Sequence, residues 1–254
     1  MPESLIDTER VVGVVCALAS EARHLRPSDA IRIALSGMGG AAATQSARGL
    51  AEGGVAALVS FGMAGGLDPS FAPGTIFLPN EVICADGGTV IATDESWCEQ
   101  LAARVAAHAS GRVTTGAAGA GPDGPGPLRA VLRGRLLTTS KAVGTQADKA
   151  LLFRQTGAAA VDMESLAIAE VARSHRLPFI AVRVIVDGAA DTLPRAVTAA
   201  ADKEGHLRIG RLLGALARTP GELPALIHLG QRYRAANRSL AAVARVGLSG
   251  GRVG

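Results

Sequence analysis

The chain has 254 residues, of which 48% are hydrophobic and 19% charged, enough to bury a sizeable core in one large domain as readily as in two small ones. Three cysteines without C-x-x-C spacing, five dispersed histidines and scattered glycines argue against a disulfide framework, a metal site and collagen-like order. The net charge of +4 is uneven: eight arginines stand against one acid after Glu204, yet no aromatic residues interleave with them as nucleic-acid stacking requires.

In chain order, Met1 to Arg10 carries acids and lacks the basic start and apolar stretch of a signal peptide. No apolar run reaches the roughly 18 residues of a membrane-spanning helix. With the cysteine pattern, this makes the cytoplasm the expected compartment. Val11 to Leu18 is a Val-rich run that predicts a strand buried on both faces. Ile31 to Leu35 predicts a second strand, Gly40 to Leu50 a helix, and Val55 to Phe61 a third strand closed by a Gly-rich turn, Gly62 to Gly66. Thr75 to Ala85 is strand-like with a break at Pro79, and Asp94 to Ala107 predicts a helix with an acidic first turn. Ala109 to Pro127 reads as a loop within one domain.

Beyond it, Arg135 to Thr139 predicts a strand, Asp148 to Gln155 a helix, Ala158 to Val161 a short strand, Met163 to Ser174 a helix and Pro178 to Val186 a strong strand. The tail predicts two helices, His206 to Ala217 and Glu222 to Arg245. The second carries an apolar stripe of Leu226, Leu229, Tyr233, Leu240 and Val243 beside several arginines, the pattern of a basic amphipathic helix. Such alternation predicts an α/β chain, a three-layer sandwich of a central mixed sheet flanked by helices, with residues 1–254 as one domain and 206–245 as its helical tail.

Ligands of open α/β sheets sit at the carboxyl ends of strands. Here Glu21, Gly62 to Gly66, Asp162 to Glu164 and Asp187 all follow predicted strands. Carboxylates around a Gly-rich segment suit acid–base chemistry on a neutral, hydroxyl-bearing substrate, although any one of them alone could be a helix cap. No G-x-G-x-x-G follows the first strand and no GK[ST] is present, which disfavours NAD and ATP.

GVVCALASEARHL, SGMGGAAA, SFGMAGGLDP, AVDMESLAIA and VRVIVDGAAD resemble, from about Val11 to Asp191, the purine nucleoside phosphorylase and methylthioadenosine/S-adenosylhomocysteine nucleosidase superfamily. SFGMAGGLDPSFAPG, ADKALLFRQTGAAAVDMES and the tail PGELPALIHLGQRYR resemble its hopanoid-associated phosphorylase branch, whose members are taken to remove adenine from adenosylhopane. The resemblance implies a nucleoside phosphorylase-like fold and an oxocarbenium-like ribosyl transition state between a protonated leaving base and a nucleophile.

By that resemblance Asp187 is the acid that protonates purine N7, and Glu164 accepts hydrogen bonds from the ribose hydroxyls. Met163 packs on sugar and base, Met63, Ala64 and Gly65 lie against the nucleoside, and Val143 and Asp162 stand at further substrate-contacting positions. Glu21 stands where the nucleosidases activate water. The phosphorylases instead have an arginine there and a second on the strand before the Gly-rich segment, where this chain has Ser60-Phe61. A carboxylate repels a phosphate dianion, so hydrolysis is favoured over phosphorolysis, with phosphate left open as a co-substrate and no cofactor or metal implied. Non-catalytic binding of an adenosyl lipid is a third reading. The expected partners are an adenine nucleoside, small or lipid-linked, a second copy in a homodimer, and a membrane surface met by the basic helix; packing of that helix on the protein's own core is the commoner outcome.

Overall fold

Alternating residues of each apolar run go to opposite sides of a single sheet, and each side acquires its own helices. In the computed structural model, which describes residues 11–85, 88–113, 131–192 and 223–248, the first strand, β1 (Val12–Cys16), is buried throughout. Val12, Val14 and Cys16 belong to one core cluster and Val15 to another. The third strand, β3 (Ala57–Gly66), divides in the same way, with Ala57, Val59 and Phe61 on one side and Leu58 and Ala64 on the other. This pleat explains why the runs read as continuous hydrophobic stretches.

Helices α2 (Gly40–Glu52) and α5 (Ser165–Ser174) cover the face of Val15, Leu58 and Ala64 through Ala43, Ala47, Leu166, Ile168 and Ala169. The other face is covered by α3 (Glu95–Val113) and the C-terminal helix α6 (Leu223–Val246), through Trp97, Leu101, Val105, Ala236, Leu240 and Val243. The short α1 (Ala19–Ala22) follows β1, and α4 (Gln146–Thr156) precedes β9. Thr145 caps α4 by accepting from the Asp148 backbone N–H at 3.1 Å. Gly157 ends it in a left-handed conformation, φ 63°, which a side chain would disfavour.

Ten strands of the described residues form the mixed sheet. β2 (Ile31–Leu35) and β3 flank β1 in parallel, and β10 (Phe179–Asp187) lies parallel to β3. β9 (Ala160–Asp162) runs antiparallel to the last residues of β3, and β8 (Arg135–Thr138), β5 (Glu81–Cys84) and β6 (Val90–Ala92) extend the sheet beyond it. On the other side, β4 (Ile76–Phe77) and β7 (Val131–Leu132) follow β10. Gly65 therefore has Asp187 on one flank and Val161 on the other. That single register brings the ends of β9 and β10 together.

Several expectations change. Gly62 to Gly66 is not a turn: it continues β3, because β9 and β10 supply backbone partners on both flanks and the missing side chains make room for neighbours. The predicted Met163 helix begins at Ser165, and α3 runs on to Val113, through the first residues of the loop expected from Ala109. The remainder of that loop and the predicted helix at His206 to Ala217 lie outside the described residues. The C-terminal part of the stripe on α6 is internal: Leu240 and Val243 are fully buried against the sheet and α3, whereas Leu229 and Tyr233 are half-buried. Burial against Trp97, Leu101 and β10 removes Leu240 and Val243 from any outer surface.

Candidate active site

A single arginine in the apolar run of β10 organises the site. Arg183 is 3% exposed and cannot reach water, so its charge needs partners inside. Its Nε and Nη2 donate to Asp162 Oδ2 at 2.9 and 2.6 Å. Nη2 also donates to Ser60 Oγ at 2.6 Å and Ser165 Oγ at 2.9 Å. Asp162 accepts further bonds from Thr138 Oγ1 at 2.6 Å and from the Ser165 backbone N–H at 3.1 Å. Its carboxylate is thus occupied by protein groups that pin Arg183 and the start of α5.

Glu21 lies across Gly62 from this pair. A Cβ on Gly62 would fall 2.7 Å from Glu21 Oε1 and 2.8 Å from Arg183 Nη1, so only glycine leaves space for both. Glu21 accepts from the backbone N–H groups of Met63 at 2.9 Å and Leu18 at 3.0 Å. Burial pushes its carboxyl above the usual range, opposed by Arg183 and by these backbone donors. Cys16, beside it, is pushed up to about 12, first by burial and then by the Glu21 charge. It remains a thiol and is no nucleophile.

Glu164 precedes α5 and accepts from the Gly39 backbone N–H at 2.8 Å. Burial, and then the neighbouring charge of Asp162, push it up to about 7. Glu21, Asp162 and Glu164 thus surround one guanidinium, and that imbalance of charge favours holding protons at the site.

Asp187 ends β10, where a register shift after Ile185 interrupts the pairing with β3 and redirects the last side chain, as bulges do. Its carboxyl lies over Gly65, whose Cβ would be 3.5 Å from Oδ2. Lys149 of α4, fully buried, forms an ion pair with Oδ2. Burial pushes the Asp187 carboxyl up, and Lys149 opposes the rise.

Ala64 is buried in the core beneath α5, while Met63 and Gly65 are half-buried on the opposite pleat. Met163 is half-buried between Asp162 and Glu164. Val143, in the segment before α4, packs on the small cluster of Leu67, Leu137 and Val161. The fold therefore gathers Glu21, Met63 to Gly65, Asp162 to Glu164 and Asp187 around the end of β3. Among the described residues no group of three His, Cys, Asp or Glu side chains is placed to hold a metal.

Sequence reasoning missed Arg183 and Lys149, and gave Ser60 and Gly62 no contact with a buried charge. The second position read as lacking a cation does have one: Ser60 binds Arg183, which arrives from the adjacent strand. The available signal was the lone arginine inside PFIAVRVIV, since an unpaired charge in a buried strand is costly. Lys149 left no comparable mark.

Residues 27–218 match the family described as the phosphorylase superfamily. No curated protein matches the sequence closely enough to count. Among solved structures, the chain is similar to the 5′-methylthioadenosine/S-adenosylhomocysteine nucleosidase of Neisseria meningitidis in complex with methylthio-immucillin-A, with 19% identity, coverage of 93% of this chain and 98% of that one, and a TM-score of 0.63. The corresponding nucleosidase of Colwellia psychrerythraea, in complex with adenine, shares 19% identity over 96% of this chain and 98% of that one, with a TM-score of 0.61. Futalosine hydrolase of Helicobacter pylori shares 18% over 70% and 88%, with a TM-score of 0.55. At these identities the likeness establishes the fold, a mixed central sheet with flanking helices.

Proposed function

Because the chain belongs to the phosphorylase superfamily of enzymes, we propose that it breaks the N-glycosidic bond of an adenine nucleoside and passes the ribosyl group to water. The observation that carries this reading is the pair of buried carboxyls, Glu21 and Asp187, set against Gly62 and Gly65 of one strand. Both are raised by burial, the condition under which a carboxyl exchanges protons near neutral pH.

Asp187 protonates the leaving purine, so that the bond to the anomeric carbon can break with its electron pair going to the base. Glu164 accepts from the ribose hydroxyls beside Met163, and Glu21 takes the proton of the attacking water. The oxocarbenium-like cation formed between them is favoured by the surrounding carboxylates. Water is preferred to phosphate because Arg183 is committed to Asp162, Ser60 and Ser165, and three carboxyls would repel a dianion.

Within this reading the substrate is the lipid-linked nucleoside adenosylhopane, on the strength of the branch-like segments in the sequence, and the enzyme acts as a homodimer. Any membrane contact would use Ile227, Arg234, Arg238 and Arg245, which are exposed on α6. Arg232 is engaged with Asp191 at 2.8 Å.

The test is adenine release from adenosylhopane and from 5′-methylthioadenosine, with and without phosphate. Free ribosyl product at a rate indifferent to phosphate is expected. A strict phosphate requirement with a ribosyl phosphate product would establish phosphorolysis instead.

A further inference from the structure

Lys149 is the most deeply buried cation described, at 0% exposure, and lies on a helix that supplies none of the residues already assigned. An ammonium has three protons, and each has an acceptor: Asp187 Oδ2, the Gly188 carbonyl at 2.8 Å and the Asp191 carbonyl at 3.1 Å. None remains for a substrate. The turn it grips is closed from within, since the Gly188 backbone N–H donates to Asp191 Oδ2 at 2.8 Å. From α6, Arg232 holds Asp191 Oδ1 at 2.8 Å. Among the described residues no hydrogen bond is made to Asp187 Oδ1.

We propose that Lys149 is a positioning residue for the acid: by occupying Oδ2 and both carbonyls it places the transferable proton on Oδ1 and pairs with the carboxylate left after transfer. This rests on the reading of Asp187 as the acid that protonates adenine. The proton passes from Oδ1 to a purine nitrogen as the C–N bond breaks and its electron pair goes to the base. Asp187 becomes a carboxylate at that moment, and its new charge develops against an ammonium already in place. A cation whose interaction strengthens as the transition state forms accelerates the step rather than merely binding the ground state.

The charged groups facing Asp187 are Lys149 from α4, Asp191 from the following turn and Arg232 from α6; β3 brings Gly65. Loss of Lys149 therefore removes the principal opposition to burial and raises the carboxyl further, making it a weaker acid.

The experiment compares wild type, Lys149→Met, Lys149→Gln, Asp187→Asn and the Lys149→Met/Asp187→Asn double variant on two substrates. One is 5′-methylthioadenosine, whose base must be protonated. The other is p-nitrophenyl β-D-ribofuranoside, whose phenolate leaves without a proton. Lys149→Met is expected to lower kcat for adenine release by at least about tenfold with little change in KM. The alkaline limb of its pH profile should move to higher pH. Nitrophenol release should stay within about twofold of wild type in Lys149→Met and Lys149→Gln, and the double variant should release adenine no more slowly than Asp187→Asn, since Lys149 acts only through Asp187.

Equal loss on both substrates, additive loss in the double variant, or unchanged adenine release would each overturn the role. If Lys149→Met does not fold, Lys149→Gln, which keeps two N–H donors without the charge, takes its place. If wild type releases no adenine from either nucleoside tested under the function above, that reading fails. The carboxyl titration of Asp187 by 13C NMR then still decides the Lys149 inference: a higher midpoint in Lys149→Gln supports it, and an unchanged one overturns it.

Discussion

The two ends of the site each place a buried carboxyl near a buried cation, and they do so differently. Asp187 is bonded directly to Lys149. Glu21 has Arg183 across Gly62, but the guanidinium donates to Asp162, Ser60 and Ser165, and Glu21 receives backbone N–H groups instead. A group that must release a proton gains from a partner that stabilises its anion. A group that must take one gains from being left with weaker, neutral donors. Under the proposed function, the contrast fits Asp187 to the donor end and Glu21 to the acceptor end of a site whose carboxyls look alike in the sequence.

The largest expected effect breaks the donor end. Asp187→Asn cannot supply a proton, and loss of a positioned acid costs about 10²- to 10⁴-fold; adenine release should fall by that amount with the circular dichroism spectrum unchanged. Retention of more than a tenth of the wild-type rate would remove Asp187 from the mechanism. Glu21→Gln breaks the acceptor end. Turnover should fall by about 10²-fold while adenine binding, measured by calorimetry, persists, because the bases of recognition lie elsewhere.

Arg183→Met tests what the guanidinium is for. Stripping one partner from a buried pair costs about 3–5 kcal/mol, read as a lower urea midpoint, and Asp162→Asn added to it should recover part of the loss. If Arg183→Met proves as stable as wild type, the cluster around Asp162 is not what holds the acceptor end together. Gly62→Ala is milder. Its methyl would intrude on Glu21 and Arg183, and overpacking of this sort costs about 1–3 kcal/mol. The rate should drop more than the stability, since the displaced atoms are those of the acceptor end.

The smallest effect is in pH. Glu164 is raised from 4.5 to about 7 in the folded chain, so the folded state holds a proton that the unfolded state has already released. The associated stability is fully present below about 4.5 and is lost as pH rises through about 7. Wild type should therefore show a falling Tm across that window, and Glu164→Gln a flatter one. Identical slopes for the two proteins would mean that Glu164 is not the titrating group.

Much of the fold was legible in advance. Val-rich runs such as Val12–Cys16 and Phe179–Asp187 have few uses other than strands covered on both faces. Glu21 and Asp187 could be picked out because each follows such a run, and Glu164 because it follows the short strand at Val161. Gly62 to Gly66 could not be read correctly, since glycines suit a turn and a crowded strand equally and only the partners on both flanks decide. The apolar stripe of α6 was visible, but its destination was not: Leu240 and Val243 meet α3 and β10, which lie far away in the chain.

The sequence by itself determined the strand–helix alternation, the apolar faces and the positions at which carboxylates end strands, because periodicity and chain direction are local properties. The tertiary structure alone decided which charges meet. Lys149 and Asp187 are 38 residues apart, and Arg183 and Ser60 are 123 apart. No local pattern records such pairings; they arise when β10 docks beside β3 and α4 is carried over its end. Burial there makes an unpaired charge costly, so the packing itself selects the partners that tune each carboxyl.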